Sequence, residues 1–165
     1  MAEKTLALGL GCDRGTPPET LAAAIEQALA QAGASWAHVL ALASIDLKAD
    51  EPAMQQLMAE RGVPIRFYTA AELARVEVPN PSELVRKYTG TPSVSEAAAL
   101  LVAGETLQRR AGMDTGSGVF SAVSTSALLV EKHKLRGTDG RNATVSVAVL
   151  PDAVMSNRVL QGGRR

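Results

Sequence analysis

The residues best suited to chemistry cluster in short polar stretches, each following an apolar run. The first is Gly11-Cys12-Asp13-Arg14-Gly15-Thr16. Backbone N–H groups at a helix start, beside an arginine, form an anion site, so Gly11, Arg14, Gly15 and Thr16 are candidate ligand contacts. The other reading is a tight strand-to-helix turn with Arg14 in solvent. Gly9-Leu10-Gly11 opens like a dinucleotide fingerprint, but the third glycine position holds Arg14, so the fingerprint fails. Cys12 lies close to the expected helix start and to Arg14, which would favour its thiolate and make it a candidate nucleophile. Such a nucleophile wants a base within reach, and His38 and His133 are far away in sequence. The alternative is a small buried packing residue.

The second stretch is Ser44-Ile45-Asp46-Leu47-Lys48. Asp46 could serve as a general base and Lys48 as an anion-binding ammonium. Alternatively, Ser44 and Asp46 hydrogen-bond the loop backbone. The third is Lys132-His133-Lys134 after an apolar strand. Its lysines should share one face, either for an anion or to protect a sheet edge. Asn80 and Ser93 are candidate helix caps whose helix starts could meet a ligand. His38 reads as structural.

These stretches need a scaffold. Leu6, Leu8 and Leu10 alternate with small residues, as in a strand over 4–10. A helix over 17–32 shows one apolar stripe from Leu21 to Ala32, with Thr16 as cap, Pro17 first and Glu19 closing a capping box. Asp50 should cap a helix over 51–61, which Gly62 ends. Further strands are expected at 39–43, 64–68, 126–132 and 143–150, the last two forming a hairpin. Thr69–Glu72 opens a short helix, a helix spans 81–88, and Ser93–Glu96 opens a buried apolar helix through Ala103. Residues 105–124 read as a flexible insert, either a linker or a lid in which Phe120 closes over an apolar ligand. The expectation is one domain over 1–160: a three-layer α/β/α fold with a mainly parallel sheet and a C-terminal antiparallel hairpin. Residues 161–165 form a disordered tail. In such sheets ligands bind beyond the carboxyl ends of the strands, which selects the 11–16 and 44–48 loops.

Composition narrows the function. Lys+Arg and Asp+Glu are both 17, and aromatic residues make up 3% of 165 residues. That argues against a nucleic-acid or membrane-surface binder and against a base-stacking platform. One cysteine and two histidines give no obvious metal cage and no disulfide, and no cofactor is expected. Residues 1–10 do not form a signal peptide and no run suits a membrane helix, so a soluble cytoplasmic protein is expected.

Four motifs carry a family resemblance: G-L-G-C-D-R-G-T, A-S-I-D-L-K-A-D-E-P, V-P-N-P-S and G-T-P-S-V-S-E-A-A-A-L, in that order. Over residues 4–104 and 127–150 the chain resembles the CobE family of cobalamin biosynthesis, which is also the C-terminal domain of CbiG. Two departures are a longer 105–126 connection and V-E-K-H-K without a proline before its first lysine. The resemblance implies a role in corrin-ring construction. CbiG is a cobalt-precorrin-5A hydrolase that opens the ring A lactone and releases acetaldehyde. The implied partner is a precorrin-type tetrapyrrole, whose acetate and propionate arms suit dispersed Arg and Lys and helix starts. The implied roles are carrier, accessory factor or lactone hydrolase, with Asp46 as base and Arg14 as carboxylate or oxyanion partner. The alternatives are a non-catalytic module acting on other cobalamin-pathway enzymes, and a nucleotide-phosphate binder using the Gly11–Thr16 turn.

Overall fold

The first strand lies at the centre of the molecule. In the computed structural model, which describes residues 4–79, 94–112 and 120–150, β1 (Leu6–Cys12) is flanked on one side by β2 (Val39–Ile45) and then β3 (Ile65–Tyr68). On its other side lie β5 (Asn142–Val149) and β4 (Leu128–Arg136). β1, β2 and β3 are parallel, whereas β5 is antiparallel to both β1 and β4. Only β5 therefore opposes the common strand direction. The sheet is mixed in pairing, mainly parallel in direction, and closed by the expected C-terminal hairpin.

Helices cover both faces. Leu6, Leu8 and Leu10 are fully buried against α1 (Pro18–Gln31) and α2 (Pro52–Arg61). Their neighbours Ala7 and Gly9 face α4 (Val94–Arg110), with the short α3 (Ala70–Ala74) beside it. The period-2 alternation of large and small residues in β1 thus sorts two different helix contacts. The large side chains fill space under α1. The small ones let α4 come close, and α4 answers with buried Ala97, Ala98, Ala99 and Ala103.

That approach is close enough to forbid a side chain. A Cβ on Gly9 would lie 1.8 Å from the Ser95 carbonyl oxygen and 2.6 Å from the Ala99 nitrogen. A Cβ on Gly104 would lie 1.8 Å from the Ser121 carbonyl oxygen. Residues 120–124 run against α4 here. Val123 N–H donates to Leu100 O at 3.1 Å, and Gln108 Nε2 donates to Ser121 O at 3.0 Å.

Local signals succeed where the chain's own neighbours supply the partner. Thr69 and Glu72 form the expected capping box. α1 ends in a Schellman motif: Gly33 N–H donates to Ala30 O, Ala34 N–H donates to Leu29 O, and Gly33 has φ 67°. Gly62 ends α2 with φ 68°.

Several expectations are corrected. β1 continues through Cys12 and β2 through Ile45, so Gly11, Cys12 and Ser44 are strand residues. Thr16 does not cap α1, whose N-cap is Pro17; its hydroxyl donates to Asp13 O and Asn142 O instead, at 2.7 and 3.2 Å. Asp50 does not cap α2, where Glu51 holds the N-cap position without a side-chain cap. β4 runs to Arg136 rather than stopping near 132. α4 continues to Arg110. The helix expected through Ala103 thus continues past Gly104, which in the fold marks a close contact with Ser121. The helix expected over 81–88, the caps Asn80 and Ser93, the loop's 113–119 portion and the 161–165 tail lie outside the described residues.

The Gly9 contact predicts a sharp contrast between two glycines. Gly9→Ala should cost about 3 kcal/mol or more, because only backbone can yield. Gly62→Ala meets nothing within 4 Å and should cost only the left-handed penalty of about 1–2 kcal/mol. Urea unfolding of both variants checks this, and equal losses would contradict it.

Candidate functional site

Strand register brings the sequence candidates to one edge. Lys134 pairs with Thr144, and Thr144 pairs with Gly11. Gly9 pairs with Ala43, so Gly11 is level with Ile45 at the end of β2. Asp46, Leu47 and Lys48 follow at once in a 3-10 turn. The row from β2 to β4 crosses three strand spacings, about 14 Å. The first turn of α4 lies over its middle. A Cβ on Gly11 would be 2.6 Å from Thr144 Oγ1 and 4.0 Å from Val94 Cγ1.

The row carries uncommitted charge. Among the described residues, the exposed Asp46 carboxylate has no hydrogen-bond or ion-pair partner, and the half-buried Lys48 makes no ion pair. His133 faces α1, with Nδ1 2.8 Å from Gln31 Nε2 and Nε2 2.7 Å from Gln27 Oε1. By alternation Lys134 lies on the opposite, α4-side face, while Lys132 falls within the register shift between Val130 and His133. β4 is also an edge strand, so its lysines disfavour edge pairing as well.

The 13–16 turn is different, because the protein occupies its anion site with its own carboxylates. Arg14 Nη1 lies 2.7 Å from Glu51 Oε2 and 2.9 Å from Asp50 Oδ1, and Arg14 Nη2 donates to Leu47 O at 2.8 Å. Gly15, at φ 81°, donates its N–H to Glu51 Oε1 at 3.1 Å. The Glu51 side chain is 1% exposed. Asp13 Oδ2 accepts from Asn142 N–H and Nδ2 at 2.8 and 3.2 Å. The hydrogen bond from Arg14 holds the Asp50 carboxyl below its ordinary value. The expectation of a free Arg14 therefore changes. Its guanidinium ties the β1–α1 turn to the β2–α2 connection, a contact across 36 residues that sequence spacing does not reveal.

Ser44 is fully buried and donates to Leu10 O at 2.7 Å, a bond between neighbouring strands rather than a loop contact. Cys12 takes the environment of a packing residue. α1 begins only at Pro18, and the Cys12 side chain packs against the apolar cluster on the α1 face. Burial pushes the thiol up to about 11; Glu51 and Asp13 add to this, while Lys48 and the Thr16 hydroxyl offset part of it. Neither histidine reaches it as a base: His133 is held by α1, and His38 Nδ1 accepts from Ser35 N–H at 3.1 Å.

A second polar cluster is not visible in the sequence because its members lie on two elements far apart in the chain, β3 and α4. Glu105, nearly buried in α4, accepts from Tyr68 Oη at 2.7 Å and Arg109 Nε at 2.9 Å, and lies 3.3 Å from Arg66 Nε. Burial pushes its carboxyl up, but these donors outweigh burial and hold it below the ordinary value. Among the described residues, no group of three or more His, Cys, Asp or Glu side chains could hold a metal ion, and no helix is long and apolar enough to cross a membrane.

The buried thiol gives a kinetic prediction. A rise from 9.0 to about 11 lowers the thiolate fraction near pH 8 by about a hundredfold. Iodoacetamide should modify folded Cys12 far more slowly than the urea-unfolded chain. The thiol's stabilising contribution is complete below 9.0 and is lost as pH climbs toward about 11. Alkylation of the folded protein at the unfolded rate would contradict this environment.

Comparison with known proteins agrees with this architecture. Residues 6–148 match the family model described as cobalamin synthesis G C-terminus. Protein CobE from Sinorhizobium sp is 42% identical over 125 residues, covering 74% of this chain and 78% of its own length. Cobalt-precorrin-5A hydrolase from Priestia megaterium is 37% identical over 148 residues. That match covers 90% of this chain but 33% of the hydrolase, so the chain spans about a third of that enzyme. A crystal structure of CobE, a protein from the cobalamin (vitamin B12) biosynthetic pathway, matches at TM-score 0.70 and 34% identity over 92% of this chain and 97% of that one. The chain belongs to the cobalamin synthesis G C-terminus family, together with CobE, and is a cobalamin biosynthesis protein.

Proposed function

We propose that this domain binds a precorrin-type tetrapyrrole along the carboxyl edge of the sheet, beside the first turn of α4. The observation that carries the reading is the single register row running from the Asp46–Lys48 turn through Gly11 and Thr144 to Lys134. A macrocycle with acid arms needs dispersed cations around an uncrowded floor. Lys48 at one end and Lys134 at the other supply the cations. Between them the half-buried Thr144, beside buried Gly11, adds a small hydroxyl-bearing surface. This placement, at the carboxyl ends of the parallel strands, is also where ligands collect in open α/β sheets.

Arg14 and the Gly15 N–H serve this site indirectly. By engaging Glu51 they hold the β2–α2 connection, and with it Lys48, against the end of β1. Thr16 and Ser44 act in the same structural way, through their hydrogen bonds to backbone carbonyls.

Asp46 supports a second reading, hydrolysis of a lactone on the bound ring. A general base needs a carboxylate not already paired, and Asp46 meets that condition two residues from Lys48. There it would take a proton from water while the lysine holds an acid arm. Cys12 is a poor nucleophile by comparison, being protonated and without a base.

The test is an absorbance titration with cobalt-free and cobalt-containing precorrins. Lys48→Ala and Lys134→Ala should each weaken binding about tenfold or more, as expected for loss of a charge-assisted contact. Asp46→Asn should spare binding and abolish lactone opening if the domain is catalytic. Unchanged spectra at saturating tetrapyrrole, or lysine variants that bind like the parent, would overturn the proposal.

A further inference from the structure

A cavity of about 570 Å³ opens on the α4 face beside edge strand β3, whose Tyr68 pairs with Ile45 beyond the β2 end of the register row. Its walls include Arg66, Tyr68, Arg75, Leu101, Phe120 and Thr125. This volume suits a drug-sized ligand and is too small for a tetrapyrrole with all its arms.

The walls are organised before any ligand arrives. Glu105 gathers the Tyr68 hydroxyl and the Arg66 and Arg109 guanidinium groups onto one nearly buried carboxylate. The two arginines are thereby laid against aromatic rings. Arg66 lies 4.4 Å from the Tyr68 ring centre, and Arg109 lies 4.8 Å from that of Phe120. Planar groups fixed this way favour a planar guest. Val76 and Leu101 supply apolar contact.

The charges on the lining are of both signs. Arg66 is held by Glu105, and Glu72 accepts from Thr69 N–H at 2.8 Å. That leaves Arg75 and Glu77, both exposed and both without a hydrogen-bond or ion-pair partner among the described residues. A guanidinium seeks a carboxylate, and a carboxylate seeks an N–H or O–H donor.

We infer that this cavity is a second binding site, for a small planar heteroaromatic carboxylate carrying an N–H donor. Arg75 takes the carboxylate, Glu77 takes the N–H, and the ring lies among Tyr68, Phe120 and Leu101. Its lining shares no residue with the tetrapyrrole edge, so either reading can fail without the other.

Indole-3-acetate is a suitable probe, followed by amide NMR shifts. Binding should move the amides of 66–76 and 120–125 and leave Gly11 and Thr144 in place. Indole-3-acetamide, which lacks the charge, and naphthalene-1-acetate, which lacks the N–H, should each bind at least fivefold more weakly. Arg75→Gln should erase the preference over the amide, Arg75→Lys should keep part of it, and Glu77→Gln should erase the preference over the naphthalene. Thermal midpoints of the variants should match the parent, because both residues are exposed. Absence of shifts in these segments at millimolar probe would overturn the inference. So would equal affinity for the three compounds, or variants that discriminate as the parent does.

Discussion

Everything in this fold follows from how closely α4 lies on β1. At Gly9 the helix backbone touches the strand backbone, with no room for even one carbon between them. The alanines of α4 extend the same constraint along the helix. Close contact of this kind gains dispersion energy from many short atom pairs and leaves no voids. It also fixes where the helix begins, and so where Val94 and Ser95 stand relative to Gly11, Thr144 and Ser146. The Ser146 hydroxyl, buried between strands, lies 2.9 Å from Ser95 Oγ and 2.6 Å from Glu131 O, which ties helix, β5 and β4 into one unit.

The opposite face works by bulk. Leu6, Leu8 and Leu10 fill the space beneath α1 and α2. The connections above that face are held by charge instead, through Arg14, Asp50 and Glu51. A buried carboxylate needs full compensation, and Glu51 finds it in the Arg14 guanidinium and the Gly15 N–H. The consequence for function is a division of labour. The motif that looks most like an anion site is a clasp between two loops. The less conspicuous residues of the next loop, Asp46 and Lys48, keep their charges available.

The sequence made these elements legible to different degrees. The alternation in β1, the stripe of α1 and the Thr69–Glu72 box were readable because each depends on residues a few positions apart. The α/β layering and the terminal hairpin followed from their order. The Arg14 clasp was not readable, since its partners Leu47 and Asp50 lie 33 and 36 residues away. The continuation of α4 past Ala103 was hidden for a related reason. A glycine inside a helical pattern signals a stop when read locally, but here it admits the Ser121 carbonyl from across the fold. Cys12 looked activated because it stands near a helix start in sequence. The strand continues through it, and burial then outweighs the effect of Lys48.

The most direct test of the central claim is a map of bound corrin on the protein. Amide NMR shifts would be followed during titration with cobyrinic acid, a corrin that carries free acid arms. The account places the largest shifts at Gly11, Asp46–Lys48, Lys134 and Thr144, with Gly15 and Glu51 changing little because their contacts persist. Shifts centred on Gly15 and Glu51, with the register row unmoved, would show that the ligand breaks the clasp and would contradict the account.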